Sequence, residues 1–265
     1  MSQYKYLLSN EWERARERLS LLEALHDPWT IRNFGKLGVK DGWRCLEIGG
    51  GGGSIAAWLC RQVGGSGHVV ATDLDPRFLL AIQASNLEVW RHDILCEPLP
   101  EGVFDLVHAR LVLMFLPKPA ETIAKMTAAL RPGGWLLLEE GLAAIPDPSM
   151  TPAAMALSTK GQQAMLSLAK SRGVDVEFGR RLYHELSANG LSDLQAEGLA
   201  PMRIGGTPSA RFWKITVEQV QDQILEARLL TQAELEDYRC LLDSPEYRWF
   251  APIMMSVWGR RIAPQ

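Results

Sequence analysis

A run of five glycines constrains this 265-residue chain more than any other feature of its sequence. Gly49–Gly53 follows the apolar segment Trp43–Ile48 and precedes a helical candidate, Ser54–Val63. Because glycine has no Cβ, a ligand can approach the backbone of such a loop closely. The helix that follows turns its first N–H groups toward that ligand. A strand, a glycine loop and a helix in this order predict a ligand site at one edge of a parallel sheet.

Apolar runs and helical segments alternate through residues 41–141. The other runs are His68–Leu74, Leu87–Arg91, Phe104–Ala109 and Trp135–Glu139, and the helical candidates between them are Pro76–Ala84 and Lys118–Leu130. Nearly continuous apolar strands indicate a sheet that is covered on both faces. We therefore predict an α/β fold with a doubly wound, mostly parallel sheet.

The rest of the chain divides by composition and periodicity. We predict an N-terminal helical arm (1–40), a core (41–141), a helical cap insert (142–200) and C-terminal helices with the last strands (201–265). Within the arm, an apolar stripe predicts a helix over Glu11–His26 that ends at Asp27-Pro28 and packs on the core. The alternative is a lid in which Trp12, Tyr4, Tyr6 or Arg18 reaches inward.

Charge and composition exclude several classes of protein. The net charge of −3 gives no broad positive field for nucleic acid. The four cysteines lie far apart without a CxxC pair, so we expect reduced thiols and no metal site. The sequence shows neither a signal core nor a membrane-length apolar run, so we expect a cytoplasmic protein without membrane contact.

Three carboxylates are predicted to meet beside the glycine loop. Glu47, Asp73 and Asp93 stand at the ends of the first three strands, where ligands of open α/β sheets bind. The loop also fits a dinucleotide fingerprint, which keeps a NAD(P)-dependent oxidoreductase open. An acid at position 47 would repel a pyrophosphate and suits a cationic, phosphate-free ligand better.

These motifs, taken in order, resemble those of class I S-adenosylmethionine-dependent methyltransferases. The resemblance rests on Glu47-x-Gly49-x-Gly51-x-Gly53, Asp73, Asp93, Phe104-Asp-Leu-Val107 and the Arg131-Pro-Gly-Gly-Trp135 turn. It implies a Rossmann-like, seven-stranded sheet whose last strand, over Ala251–Trp258, is antiparallel.

The resemblance also implies roles for single residues toward S-adenosylmethionine. Glu47 would meet the methionine ammonium, Asp73 the ribose hydroxyls and Asp93 the adenine amino group. Gly49, Gly50 and Gly51 would lie against the methionine and ribose, and Leu74 against the adenine. Ile94 would supply a backbone N–H, and Ala109 and Arg110 would line the wall between cofactor and substrate.

Residues at the ends of the fourth and fifth strands are the catalytic candidates: Glu140, His108 and Arg110. We expect a small-molecule methyl acceptor and leave a homodimer open. Apolar side chains of the helical segments would form the acceptor pocket, namely Met150, Met155, Met165, Phe212 and Trp213. Two further alternatives stay open, a cyclase or binding protein that keeps the cofactor without methylating, and an RNA methyltransferase.

Overall fold

Seven strands form one sheet in the order β3-β2-β1-β4-β5-β10-β7. The computed structural model describes residues 7–142, 145–146, 150–250 and 252–262. The parallel strands are β1 (Arg44–Ile48), β2 (His68–Asp73), β3 (Leu87–Arg91), β4 (Phe104–Arg110) and β5 (Leu130–Gly141). The sheet is completed by β10 (Met254–Arg261), which runs antiparallel to both β5 and β7 (Leu191–Leu199). The predicted doubly wound sheet of seven strands is confirmed.

Helices cover both faces of this sheet, as continuous apolar strands require. One face carries α1 (Ala15–Leu37) and α2 (Ser54–Val63), whose apolar residues pack with Cys45, Leu106 and Leu137. The opposite face carries α3 (Pro119–Ala129) and α5 (Leu182–Ala188). Successive strand residues alternate between the two faces, so neighbouring side chains at the strand ends have different surroundings.

A cap of three helices and a small sheet lies above the carboxyl ends of the strands. It contains α4 (Pro152–Ser171), α6 (Pro208–Glu226) and α7 (Gln232–Asp243), which share one apolar cluster. The small antiparallel sheet has the order β6-β9-β8 and comprises β6 (Ile145–Pro146), β8 (Met202–Ile204) and β9 (Arg248–Phe250). Three short 3₁₀ turns, Leu79–Ala81, Leu113–Phe115 and Phe178–Arg180, complete the described elements.

The arm helix differs from its prediction at both ends. It begins at Ala15 and continues through Pro28 to Leu37, where Gly38 ends it in the left-handed region. A proline inside a helix costs about 3 kcal/mol, because it removes one hydrogen bond and crowds the preceding turn. The turns after Pro28 are nevertheless held, since Thr30, Asn33 and Phe34 are fully buried against the sheet. Tyr4 and Tyr6, two of the suggested lid residues, lie outside the described residues.

Two other predictions of secondary structure are wrong. The Pro76–Ala84 segment forms only the 3₁₀ turn Leu79–Ala81 instead of an α-helix. The segment read as purely helical up to residue 200 contributes β7 to the main sheet, so the core extends beyond residue 141. The last strand lies three residues later than predicted at both ends, and Ala251 is outside the described residues. Among the helices described, none combines the length and apolarity needed to cross a bilayer.

A close contact between α4 and α7 gives a test of the cap. A Cβ at Gly161 would lie 2.6 Å from the ring of Tyr238, whereas a Cβ at Gly35 in α1 would meet nothing within 4 Å. We expect Gly161→Ala to lower the free energy of unfolding by about 1–3 kcal/mol, because overpacking outweighs the gain in helix propensity. Gly35→Ala should raise it by about 0.5–1 kcal/mol. Thermal unfolding measures the direction of both stability changes. Equal shifts of the melting temperature for the two variants would contradict the close contact between Gly161 and Tyr238.

Candidate active site

A cleft of about 650 Å³ opens at the carboxyl ends of β1, β2, β3 and β4. The predicted ligand residues that line this cleft are Glu47, Gly49, Gly50, Gly51, Asp73, Leu74, Asp93, Ile94 and Arg110. This is the edge of the sheet where the strand order reverses, since β1 lies between β2 and β4. The described residues contain no group of three or more acidic, histidine or cysteine side chains arranged for a metal ion.

Two separate physical reasons require glycine at positions of this loop. Gly49, Gly51 and Gly53 have φ angles of 68°, 53° and 92°, a region that side-chain-bearing residues rarely adopt. Space is also lacking, because a Cβ at Gly49 would lie 2.5 Å from Cγ2 of Val112. The Gly51 N–H donates to Oδ2 of Asp73 over 2.9 Å, which ties the loop to the end of β2.

The ends of β2 and β3 combine carboxylates with an uncovered apolar side chain. Oδ1 of Asp73 accepts from the Asp75 N–H at 2.9 Å, and Oδ1 of Asp93 accepts from the Leu95 N–H at 3.0 Å. Burial raises the pKa of Asp73, and the backbone N–H groups of Asp75 and Gly51 partly offset this shift. Leu74 is 46% exposed although it lines the cleft. An exposed leucine between two hydrogen-bond acceptors fits a flat, partly apolar ligand with hydroxyl and amino groups.

A row of buried charges leads from Glu47 at the cleft into the protein. The Nδ1–H of His108 donates to Oε2 of Glu47 over 2.6 Å, and Nε2–H contacts Oε2 of Glu139 at 3.4 Å. Burial alone would lower the pKa of His108, but the two carboxylates outweigh burial and raise it to about 9. Burial alone would raise the pKa of Glu139, yet His108 lowers it to about 2. His108 is therefore a cation held between two anions.

Helix α1 satisfies the remaining acceptors of Glu139. Asn33 donates to Oε1 of Glu139 over 3.0 Å, and the Thr30 hydroxyl donates to Oε2. On the other side Ser256 of β10 donates to Oε1 at 2.6 Å. The arm helix is thus connected through Glu139 and His108 to Glu47 at the cleft.

The N-terminal half of α1 also covers the glycine loop. Arg18 and Leu19 line the cleft and are almost fully buried. Arg16 Nη1 donates to the Gly52 carbonyl over 2.6 Å, and the Ser54 N–H donates to Oε1 of Glu23 at 3.4 Å. The arm therefore packs on the core, as predicted, and at the same time forms one wall of the site. Among these residues, the sequence suggests an inward-reaching role for Arg18 only.

The three catalytic candidates do not share one surface. Arg110 lines the cleft, and its guanidinium donates to Asp27 and to the Thr30 hydroxyl, each over 2.8 Å. His108 is fully buried with both ring nitrogens engaged, which contradicts a substrate-facing role. Ala109 is also fully buried and packs into the core on the opposite face, so it does not line the wall between cofactor and substrate.

Glu140 likewise does not face the substrate. It is fully buried on the face opposite Glu139, and its Oε1 accepts from the N–H groups of Val112 and Leu113 at 3.1 and 2.7 Å. Burial outweighs these donors and raises the pKa of Glu140 to about 8. The raised pKa favours the protonated form of the carboxyl group at neutral pH, and its hydrogen bonds hold the loop after β4. Its predicted catalytic role is wrong for this geometric reason.

A second cavity of about 230 Å³ adjoins the cleft beneath the cap. Met165, Phe212 and Trp213 line it, as predicted for an acceptor pocket. Neither Met150 nor Met155 lines the cavity. Met150 packs in the apolar cluster of the cap instead. The lining also includes His26 and Arg203, two polar residues that the sequence did not single out.

The protonated state of Glu140 predicts how stability depends on pH. Its folded pKa of about 8 exceeds the ordinary value of 4.5, so its contribution to stability is complete below 4.5 and is lost as the pH rises to 8. Glu140→Gln keeps a neutral acceptor and avoids this loss. As the pH rises over this interval, we expect the free energy of unfolding of the variant to increase relative to that of the wild type by at most about 1.4 kcal/mol per pH unit.

Chemical unfolding at a series of pH values measures this difference. Glu246→Gln, at an exposed position, controls for the removal of one acidic side chain. A constant stability difference between wild type and Glu140→Gln across the interval would contradict a protonated Glu140.

Comparisons with known proteins agree with this geometry. Residues 46–138 match the family model described as a methyltransferase domain. The ubiquinone/menaquinone biosynthesis C-methyltransferase UbiE of Francisella philomiragia is 30% identical over 124 residues, which are 44% of this chain and 50% of that protein. The chain thus spans about half the length of this curated relative.

Solved structures extend the likeness to most of the fold. A Bacillus halodurans protein provisionally named a methyltransferase has a TM-score of 0.58 at 18% identity, covering 88% of this chain and 98% of that one. The Haemonchus contortus phosphoethanolamine N-methyltransferase 2 has a TM-score of 0.55 at 14% identity, covering 98% of this chain and 56% of that one. Residues 46–138 are thus similar to a methyltransferase domain, and the solved structures share the fold of the chain.

Proposed function

We propose that the protein is an S-adenosylmethionine-dependent methyltransferase that acts on a small, apolar acceptor. One observation carries the choice of cofactor over a dinucleotide. The N-terminus of α2, where dinucleotide folds hold the pyrophosphate, is covered by the Glu23 carboxylate of α1. A pyrophosphate there would face Glu23 and, across the loop, Glu47. A ligand with an ammonium and a sulfonium group suits the same surroundings.

The residues of the cleft fit this cofactor in charge and shape. Asp73 would hold the ribose hydroxyls, while Leu74 and Ile94 would cover the adenine and Asp93 would accept from its amino group. Glu47, oriented by His108, would accept from the methionine ammonium. The Haemonchus enzyme is in complex with S-adenosylhomocysteine, which supports the same ligand class for this cleft.

The protein's part in catalysis would be alignment and exclusion of water. When bound, S-adenosylmethionine supplies an activated methyl group. Arg18, Leu19 and Leu22 of α1 would close the cleft above it. The adjoining cavity would hold the acceptor in line with the methyl group, since orientation alone accounts for a large part of such a rate enhancement. The cytoplasmic location stays a prediction, and the homodimer stays an open alternative.

Turnover tests the proposed activity against the alternatives. The protein is incubated with S-adenosylmethionine and a metabolite panel, and mass spectrometry follows S-adenosylhomocysteine and the gain of one methyl group. A methylated product formed together with S-adenosylhomocysteine is expected. Binding of NAD(P) without binding of S-adenosylhomocysteine would favour the oxidoreductase. Cofactor binding with acceptor conversion but no added methyl would favour the cyclase.

Asp73→Asn tests the ribose assignment. Hydrogen bonds to a charged group contribute about 1.5–3 kcal/mol, so we expect roughly a 10- to 100-fold loss of S-adenosylhomocysteine affinity in calorimetry. Asp75→Asn is the matched control, because the Asp75 carboxylate pairs with Arg77 at 2.8 Å. Equal effects of the two substitutions in folded protein would sink the assignment.

A further inference from the structure

The second cavity shares walls with the cofactor cleft. Leu22, Leu111, Phe115 and Phe212 line both spaces, so a molecule in the cavity would be separated from the cleft by single side chains. The rest of the lining comes mainly from α4, α6 and the small sheet, and it is mostly aliphatic and aromatic. This cavity therefore suits an apolar body that enters beside the cofactor.

Arg203 introduces a positive charge into this apolar lining. It is the central residue of β8, half-buried, and stands opposite Trp249 of β9, which is itself buried in the lining. No aspartate or glutamate lines the cavity among the described residues, and within them the guanidinium of Arg203 makes no hydrogen bond or ion pair. Burial lowers the pKa of its guanidinium. A guanidinium in such a place is stabilised by an anion that enters from outside.

Three other polar side chains of the lining, those of Tyr247, Gln162 and Thr216, make hydrogen bonds within the wall. Tyr247 OH lies 2.8 Å from the Ser158 hydroxyl, and Gln162 Nε2 donates to that hydroxyl over 3.2 Å. The Thr216 hydroxyl donates to the Phe212 carbonyl at 2.8 Å. None of these three side chains is charged, so Arg203 is the charged anchor of the cavity.

His26 adds a polar anchor without adding a second charge. Its buried Nδ1 has no hydrogen-bond partner among the described residues. Burial, together with the charges of Arg110 and Arg203, lowers the pKa of His26 to about 3, so the ring is neutral. His26 lines the cavity, and the next residue, Asp27, pairs with Arg110 of the cleft, so His26 lies on the side of the cavity toward the cleft.

Building on the proposed function, we propose that the cavity binds the methyl acceptor as an apolar monocarboxylic acid whose carboxylate pairs with Arg203. A single guanidinium matches one negative charge and can hold both carboxylate oxygens. A phosphate monoester would bring close to two charges and leave one of them unpaired in an apolar space. A neutral polar group of the same molecule would meet His26, which directs the rest of the acceptor toward the cleft.

Calorimetry with matched ligands tests this inference on the protein loaded with S-adenosylhomocysteine. The probes are medium-chain fatty acids and phenylalkanoic acids, each paired with its primary amide, which keeps the size and removes the charge. Wild-type protein should bind at least one acid roughly 10- to 100-fold more tightly than its amide, as expected for a charge-assisted hydrogen bond. Arg203→Gln should abolish this preference, and Arg203→Lys should retain part of it.

Arg172→Gln is the matched control, because Arg172 is an exposed arginine at the end of α4. It should leave the preference for acids unchanged. The proposal is overturned if no acid in the panel binds better than its amide, or if the preference survives in Arg203→Gln. Affinity for S-adenosylhomocysteine, measured in every variant, reports folding. This measurement also separates the acceptor proposal from the proposed function. If wild-type protein does not bind S-adenosylhomocysteine, the result counts against the proposed function.

Discussion

The buried row Glu47–His108–Glu139 is the interaction on which the site depends. Two carboxylates within the sheet would be costly to ionise without the imidazolium between them, and removing one member leaves an uncompensated charge. The row joins β1, β4 and β5 just below the cleft and reaches α1 through Thr30 and Asn33. His108 therefore holds the Glu47 carboxylate in position, and Glu139 and α1 in turn hold His108, before any ligand arrives.

The two adjacent glutamates at the end of β5 show how strongly strand direction controls chemistry. Glu139 faces α1, where hydrogen bonds and His108 keep it ionised, whereas Glu140 faces the other side and is neutral. Neither contacts the cleft. The two residues are adjacent in the sequence, so their pKa values differ only because the two faces of the sheet surround them differently.

Much of the cofactor half of the site was predictable because it depends on local pattern. Strand ends mark where acids meet in a parallel sheet, and Glu47, Asp73 and Asp93 follow from that rule. Distant pairing was not predictable. Glu23 reaches the glycine loop because α1 packs against this loop, and Arg203 lies at the cavity because β8 pairs with β9. Likewise, His108 looked like a cleft residue because the sequence does not reveal that Glu47 and Glu139 engage its ring.

The position of β10 has a consequence for how the chain is made. This strand lies between β5 and β7, yet it is the last of the three to be synthesised. Until Met254–Arg261 has emerged, β7 lacks its neighbour in the sheet, and the edge of β5 beside it is open. Unpaired edges are templates for association with other chains. The nascent protein therefore exposes the unpaired edges of β5 and β7 for the whole time needed to translate α6 and α7. A stop codon before β10 would make that exposure permanent.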